Sequence, residues 1–175
     1  ANGVNAINIL EGDQVVGVRL TNGHNELLLA NRNGRAIRFN EEELRPMGRV
    51  STGVRGMRLD GGDDEVVGLV CVNDPQTETI MVVSENGYGK RSDVDDYRKT
   101  ARGAKGVKTI SITEKTGRLV AIKVVTDEND LMIINKSGIL IRMKVADVRV
   151  MGRATQGVRL INLTKKNDVI ASVCK

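Results

Sequence analysis

An internal repeat of about fifty residues constrains the fold of this chain more than any other feature. A glycine-valine pair recurs in phase at steps of 50, 53 and 51 residues, at Gly3-Val4, Gly53-Val54, Gly106-Val107 and Gly157-Val158. A second marker, Asn33-Gly34, returns as Asn86-Gly87 and Ser137-Gly138, at steps of 53 and 51. These periods predict five units: a partial blade at 1–14, full blades at 15–65, 66–118 and 119–168, and a closing strand at 169–175.

Each full repeat has the pattern of four short strands. β-Branched residues dominate these runs, and the Asn-Gly pairs suit the positive φ angles of tight hairpin turns. The predicted strands are Val15–Leu20, Glu26–Asn31, Arg35–Phe39 and Val54–Leu59, then Val66–Val72, Thr79–Ser84, Gly89–Ser92 and Val107–Thr113, and finally Leu119–Val125, Leu131–Asn135, Ile139–Lys144 and Val158–Leu163. Runs such as Leu27-Leu28-Leu29 lack polar alternation, which predicts burial on both faces.

The fold class that follows is all-β. A four-stranded sheet that returns every fifty residues is typical of propeller-like stacks of blades, about three of them here. A two-sheet sandwich is the alternative, but a sandwich does not require such a repeat. Aromatic residues make up only 2% of the 175 residues, so the core must consist of Val, Ile, Leu and Met.

The composition excludes several classes of protein. With 40% apolar and 28% charged residues the chain can bury a core, and its apolar runs, such as Leu69–Val72, are too short to span a bilayer. Two cysteines, Cys71 and Cys174, form neither a disulfide framework nor a metal motif, which favours a reducing, cytoplasmic setting. The single histidine, His24, lies in a polar turn, and we expect no catalytic triad. The acidic segment 60–64 lacks calcium-loop spacing and is interpreted as a turn between blades.

The basic residues keep the register of the repeat. In each repeat four positions are Arg or Lys, separated by 7, 4 and 6 residues in all three. These twelve residues are Arg38, Arg45, Arg49 and Arg55, then Arg91, Arg98, Arg102 and Lys108, then Arg142, Arg149, Arg153 and Arg159. Equivalent positions in stacked blades recur at a constant rotation, so the cations are expected to form a curved track.

A solvated, salt-bridged surface is the alternative explanation of this register. It suits Arg45, because Glu41 precedes it by four residues, but Val94 and Val145 occupy that place in the other repeats. A shared local pairing therefore does not explain the pattern. The sequence contains neither groove-reading helices nor many stacking aromatics, so the track predicts contact with the phosphodiester backbone of DNA without sequence preference. The loop positions are expected to dominate over the strand positions.

Three segments carry a resemblance to a known family: Arg45-Pro46-Met47-Gly48-Arg49, Asn86-Gly87-Tyr88-Gly89-Lys90-Arg91 and the stretch Met151–Ile161. They resemble the C-terminal domain of DNA gyrase A over essentially the whole chain. That resemblance implies a β-pinwheel, a propeller-like disc whose blades exchange strands with their neighbours. It also implies that duplex DNA wraps around the basic rim and so supports ATP-dependent negative supercoiling by the whole type II topoisomerase.

Other expectations follow from the same resemblance. The family's box of basic residues and glycines is absent; its nearest counterpart is Ala101–Gly106, which adds Lys105 to the expected DNA contacts. The box would lie upstream, so the chain is interpreted as a fragment holding the later blades. We expect no cofactor in this chain, with ATP and Mg²⁺ in the holoenzyme. The expected partners are double-stranded DNA, the rest of gyrase A, and gyrase B, in the bacterial cytoplasm on the nucleoid.

The residues leave two alternatives open. The related subunit of topoisomerase IV carries a similar domain, and a propeller can serve as a protein-interaction scaffold. An incomplete wheel exposes strand edges that a closed ring would cover. The fragment is therefore expected either to self-associate, as two half-wheels that make one ring, or to pair 169–174 with its own N-terminal repeat.

Overall fold

The computed structural model describes residues 2–163 and 167–175, and in that part of the chain the regular structure is β-sheet with three short 3₁₀ turns. The 3₁₀ turns are Glu41–Glu43, Val94–Asp96 and Val145–Asp147. The strands are β1 (Glu26–Asn31), β2 (Arg35–Asn40), β3 (Val66–Val72), β4 (Thr79–Ser84), β5 (Tyr88–Asp93), β6 (Val107–Lys108), β7 (Leu119–Val125), β8 (Asp130–Asn135), β9 (Leu140–Lys144), β10 (Val158–Arg159) and β11 (Ile170–Cys174).

Each repeat contains one tight hairpin, as predicted. The glycines of the second sequence marker turn the chain at φ angles of 79°, 83° and 86° for Gly34, Gly87 and Gly138, a region that favours glycine. The hairpins β1-β2, β4-β5 and β8-β9 pair antiparallel. In the first and third, an asparagine side chain closes the turn, since Asn31 Oδ1 accepts from Arg35 N at 2.8 Å and Asn135 Oδ1 from Ile139 N at 2.7 Å.

The sheets are built by exchange of strands between repeats. Their strand orders are β3-β1-β2-β6, β10-β5-β4-β7 and β11-β8-β9. The first two sheets take their central hairpin from one repeat and both outer strands from the next repeat along the chain. The third sheet has β11 on one side, and within the described residues no fourth strand pairs with β9. The predicted blade boundaries thus describe the sequence repeat, whereas a sheet combines parts of two repeats.

The two edges of each sheet face different ways. Strand β7 contacts both β3 and β11, which belong to the other two sheets, so these three strands form the inner side of the stack. Strands β6 and β10 lie at the opposite edge of their sheets, which is therefore the outer side. We call this side the rim.

Aliphatic side chains fill the space between the sheets, as the low aromatic content predicts. Leu28, Ile80, Val82 and Leu119 are fully buried in one cluster that joins the first two sheets. All six residues of β4 are buried. In the run predicted to be buried on both faces, Leu27 and Leu28 are buried and Leu29 is half-buried. Each sheet packs against its neighbour, and this arrangement confirms the predicted propeller-like architecture.

Several sequence expectations are corrected. No strand forms at Val15–Leu20 or Val54–Leu59. The outer strands of the first two sheets pair with the hairpin of the repeat before them, and the described residues before Glu26 contain no hairpin. The fourth strands β6 and β10 are two residues long, shorter than predicted, since the chain leaves the sheet edge at once to reach the next blade. The closing strand β11 pairs with β8, not with the N-terminal repeat.

The acidic segment 60–64 is a turn, as predicted. Asp64 is buried and accepts hydrogen bonds from Asn31 Nδ2 at 2.8 Å and from Asp60 N at 3.0 Å, which ties the turn to the first hairpin. In the part of the chain that the structure describes, no helix is long and apolar enough to cross a membrane.

Candidate nucleic-acid interface

The strand-position arginines of the first two repeats are buried. Arg38 is 4% exposed and Arg91 5%, in contrast to the surface track that the sequence predicted. Arg38 pairs with Glu26 and donates from Nη1 to the carbonyl oxygens of Val94 at 2.9 Å and Tyr97 at 3.0 Å. The expectation of a surface position is therefore corrected for Arg38 and Arg91, because the 3₁₀ turn of the next repeat covers them.

Arg91 repeats this arrangement one blade later. Its Nε donates to Thr79 Oγ1 at 2.7 Å, and its Nη1 lies 3.5 Å from the carbonyl oxygens of both Val145 and Val148. The third member, Arg142, differs: its side chain is 72% exposed and is held by Asp130, with Nε donating at 2.6 Å. One sequence position thus gives two buried links between repeats and one exposed cation.

The first loop position is exposed in all three repeats. Arg45, Arg98 and Arg149 each follow directly on the C-terminal cap of a 3₁₀ turn. In the second and third repeats that cap residue, Tyr97 or Val148, is buried and anchors the turn, so the next side chain points to solvent. The local backbone therefore presents one arginine per repeat at equivalent places.

The second loop position connects neighbouring repeats. Arg49 is exposed, whereas Arg102 and Arg153 are half-buried. Arg153 donates from Nε to Asp96 O and from Nη1 to Lys108 O, both at 2.8 Å. Arg102 donates from Nη1 to Arg55 O at 2.6 Å in the equivalent place. These two arginines hold the fourth-strand segment of the preceding repeat while part of each side chain remains accessible.

The fourth-strand position lies at the rim. Arg55, Lys108 and Arg159 are all exposed, and the last two belong to the outermost strands β6 and β10. Lys105 is half-buried and pairs with Asp60 at 2.5 Å. That hydrogen bond holds the pKa of Asp60 below its ordinary value, so this acid stays ionised and neutralises Lys105 locally.

Sequence reasoning missed two residues beside Arg159. The Nζ of Lys115 lies 5.6 Å from the centre of the Tyr88 ring and the Arg159 guanidinium 5.4 Å from it. Arg159 Nη2 also donates to Tyr88 Oη at 2.9 Å, and this bond, together with both cations, lowers the pKa of Tyr88. Lys115 is not one of the twelve basic positions that recur in the repeat, so the register did not point to it. The one sequence signal for this cluster was Tyr88, which lies next to the basic pair Lys90-Arg91.

A buried lysine lies under the third repeat's loop. Lys90 is fully buried and donates from Nζ to Gly152 O at 2.8 Å. Burial, reinforced by the charge of Arg153 and opposed by that of Asp96, lowers the pKa of Lys90 to about 7. Lys90 therefore positions the loop that carries Arg149 and Arg153.

The site has the chemistry of anion binding. His24 is exposed, and its Nδ1 contacts Glu42 Oε1 at 2.8 Å. Among residues 2–163 and 167–175 no three His, Cys, Asp or Glu side chains gather in a way that could hold a metal ion. Tyr97 is fully buried and packs in the core.

The fold and this edge define a propeller-type domain with strand-exchanged sheets and exposed cations along its rim. A family model described as "DNA gyrase C-terminal domain, beta-propeller" matches residues 1–22, 25–73, 78–126 and 129–173. The chain belongs to this family, which confirms the resemblance seen in the sequence.

Individual relatives agree with the family. The chain is 50% identical over 162 residues to DNA gyrase A of Staphylococcus aureus (strain MRSA252), covering 93% of this chain and 18% of that protein. A solved gyrase A C-terminal domain superposes with a TM-score of 0.87 at 27% identity, covering 98% of this chain and 57% of that one. A solved C-terminal domain of DNA topoisomerase IV superposes with a TM-score of 0.89 at 29% identity. That match covers 97% of this chain and 52% of the other.

Proposed function

We propose that this chain binds duplex DNA along its rim and bends or wraps the DNA without reading its sequence. One observation carries the proposal: an exposed arginine follows the 3₁₀ turn in every repeat, and an exposed cation occupies the fourth-strand position in every repeat. These six residues are Arg45, Arg98 and Arg149 in the loops and Arg55, Lys108 and Arg159 in the strand segments. Cations spaced by a constant rotation suit a curved phosphodiester backbone.

The remaining predicted contacts have different roles in this proposal. Arg49, Arg102, Arg153 and Arg142 are partly or fully accessible and add to the positive surface, together with Lys105. Arg38 and Arg91 support binding indirectly, because their bonds to the next repeat set the rotation between blades. Lys115 and Tyr88 extend the rim cluster around Arg159.

Within a parent protein, the family relationship supports a place in DNA gyrase A. There the domain would wrap DNA to support ATP-dependent negative supercoiling by the complete type II topoisomerase, together with the rest of gyrase A and with gyrase B. The chain itself would be non-catalytic and free of cofactor, with ATP and Mg²⁺ used elsewhere in the holoenzyme. Its site of action would be the bacterial cytoplasm, on the nucleoid.

Two other functions are supported by specific features of the chain or its fold. The structural similarity to the topoisomerase IV domain favours the same DNA-binding role in a decatenating enzyme. A protein-interaction scaffold is the candidate of another class, and it differs in salt dependence, since a protein interface releases few counterions.

The test is a salt series of binding to short and long duplexes, with fluorescent labels on both DNA ends. Six phosphate contacts predict a slope of about −5 for log K against log salt. Replacing Arg45, Arg98 and Arg149 together by Ala should reduce the slope to about −3 and weaken binding to all sequences alike. Arg98→Ala alone and Arg19→Ala form the matched pair, because each removes one positive charge and Arg19 lies on the inner side beside β3, β7 and β11.

The end labels separate bending from plain binding. A longer duplex whose ends approach one another on binding supports a wrapping rim. Straight DNA with a shallow salt slope would refute the proposal and favour the scaffold. An effect of Arg19→Ala equal to that of Arg98→Ala would show that the net charge of +5, and not the rim, attracts the DNA.

A further inference from the structure

Lys115 and Arg159 converge on Tyr88 at the hairpin end of the second sheet. Tyr88 is the first residue of β5 and pairs with Arg159 of β10. The ring of Tyr88 is 6% exposed, whereas both cations beside it are exposed. Arg159, first through its hydrogen bond to Tyr88 Oη, and Lys115 together lower the pKa of Tyr88. Two solvent-accessible positive charges therefore lie close to one fixed phenol hydroxyl.

The loop that carries Lys115 is held in one conformation. Thr113 N donates to Thr116 Oγ1 at 2.9 Å, and Thr116 N donates to Thr113 Oγ1 at 3.3 Å, which closes a tight turn. Asn86 of the β4-β5 hairpin donates from Nδ2 to Lys115 O at 3.3 Å and from N to Thr116 O at 3.0 Å. Thr116 is fully buried. The backbone is thus fixed, and a ligand has to order only the side chain of Lys115.

The equivalent place in the first sheet contains an acid. Arg35, at the position of Tyr88, is paired with Asp60, their Nε and Oδ2 atoms being 3.9 Å apart. In the second repeat Thr113 stands where the first has Asp60, and Lys115 stands where the first has Gly62. From the first sheet to the second, one negative charge is therefore lost and one positive charge is gained at the same place in the fold.

The exposure of the two cations does not depend on which residues follow the third repeat. Gly62 and Lys108 occupy the equivalent places in the first sheet, and both are exposed although the next sheet packs against the first. Among the described residues no carboxylate forms an ion pair with Lys115 or Arg159. Positions 1 and 164–166, outside the described residues, are not acidic.

Asp168 is the acid of the surrounding pocket. Its carboxylate accepts from Asn135 Nδ2 and from Ser137 Oγ, both at 2.7 Å, and from Val169 N at 3.0 Å. These three hydrogen bonds hold Asp168 on the third hairpin and spread its charge. The two cations beside Tyr88 thus keep their charge for an anion from solution.

We propose that Lys115 and Arg159 together bind one phosphate of the DNA backbone, with the Tyr88 hydroxyl as a third donor. This site rests on the proposed binding of DNA by the rim and lies outside the basic register. Since Tyr88 Oη accepts from Arg159, its own proton is directed to a phosphate oxygen. Arg98 comes after the far end of β5, about 17 Å along the strand, so it contacts a different phosphate. The second sheet therefore holds DNA at both ends of its outer edge.

The first experiment introduces the acid of the first repeat into this site. Thr113→Asp places a carboxylate beside Tyr88, and Thr113→Asn is its uncharged control, since both side chains can accept the hydrogen bond of the turn. We expect Thr113→Asp to bind a long duplex about three- to tenfold more weakly than Thr113→Asn. Gln76→Glu, at an exposed position in the turn between β3 and β4, adds the same charge elsewhere. An effect of Gln76→Glu as large as that of Thr113→Asp overturns the proposal.

The second experiment is a double-mutant cycle, which tests whether the two cations share a phosphate. Lys115→Ala and Arg159→Ala should each weaken binding about three- to tenfold, and the double variant should lose about threefold less than the product of the single losses. Lys115→Ala combined with Arg98→Ala should give the full product, because these side chains contact different phosphates. Multiplicative losses in both cycles refute a shared phosphate.

The third experiment identifies the source of the phosphate, with Tyr88 as the probe. The chain has two tyrosines and Tyr97 is fully buried, so ¹³C-labelled tyrosine gives one NMR signal at the site and one reference signal. A short duplex should shift the Tyr88 signal at a concentration at which inorganic phosphate leaves it unchanged. A signal that the duplex does not shift, or that inorganic phosphate shifts equally, overturns the proposal.

Failure of this site and failure of the proposed function give different results. A wild-type protein without steep salt dependence refutes DNA binding by the rim and the site with it. Wild-type binding with the expected slope, but equal affinities of Thr113→Asp and Thr113→Asn, refutes the site alone. Because Lys115, Arg159 and Thr113 are exposed, none of these variants is expected to unfold the chain.

Discussion

Lys90 should make the stability of this domain rise with pH. Its side chain is fully buried and its pKa is lowered to about 7, chiefly by burial, from the ordinary 10.5 that it regains in the unfolded chain. Between these two values the unfolded state binds more protons than the folded state. The free energy of unfolding therefore increases with pH across that window. Below about pH 7 Lys90 is charged in both states, so the whole cost of burying its charge lowers the stability of the folded state.

The size of the effect follows from the two pKa values. Between pH 7 and pH 9 a single group with pKa 7 folded and 10.5 unfolded adds about 2.3 kcal/mol to the free energy of unfolding. Lys90→Met keeps an unbranched side chain of similar length in the core and removes the titration. The carbonyl of Gly152 then loses its donor, but Gly152 is exposed and its carbonyl can bond to water.

Urea denaturation of both proteins at pH 7, 8 and 9 measures this contribution as the difference between their pH slopes. Every other titrating group is present in both proteins, so its contribution to the pH slope cancels in the difference. Lys136→Met, at an exposed lysine, is the control and should keep the wild-type slope. Equal slopes for wild type and Lys90→Met would refute the reasoning, because they would show that Lys90 is deprotonated at no accessible pH or is hydrated when folded.

Three further changes test the contacts between repeats by urea denaturation. Tyr97→Phe should lower the free energy of unfolding by about 1–3 kcal/mol, because it leaves the buried Thr109 hydroxyl without its partner; adding Thr109→Val should restore most of it. Gly157→Ala should destabilise strongly, since φ is +84° and the Cβ would meet Gly89 O, whereas Gly152→Ala has open space and should be tolerated. Arg91→Ala should cost about 2–3 kcal/mol, and the exposed equivalent Arg142→Ala close to nothing; similar losses would contradict the difference in burial.

Much of the fold could be predicted from the sequence because it depends on short-range patterns. The hairpins β1-β2 and β4-β5 follow from strand-forming residues around Asn-Gly turns. The repeat itself predicts stacked sheets with an aliphatic core. The exposed loop arginines, such as Arg98, were also predictable, since they follow a turn that the register marks in every repeat.

The origin of the outer strands could not be predicted from local pattern. In the first two sheets the fourth strand is only two residues long and comes from the next repeat, so its pairing joins residues far apart in sequence, as between Val158 and Gly89. Lys115, which lies outside the register, reaches Tyr88 only through the folded chain. Propensity along a single strand contains no information about such partners.

The difference between what the sequence determines and what the tertiary structure decides is clearest at Arg38, Arg91 and Arg142. The amino-acid order alone places a cation at this strand position in each repeat, twelve residues after a polar partner at Glu26, Thr79 or Asp130. Folding of the whole chain then buries the first two as links between repeats and leaves the third exposed. The physical reason is that the carbonyl oxygens which cover an arginine here belong to the following repeat, and burial of the charge is stable only where those acceptors are present.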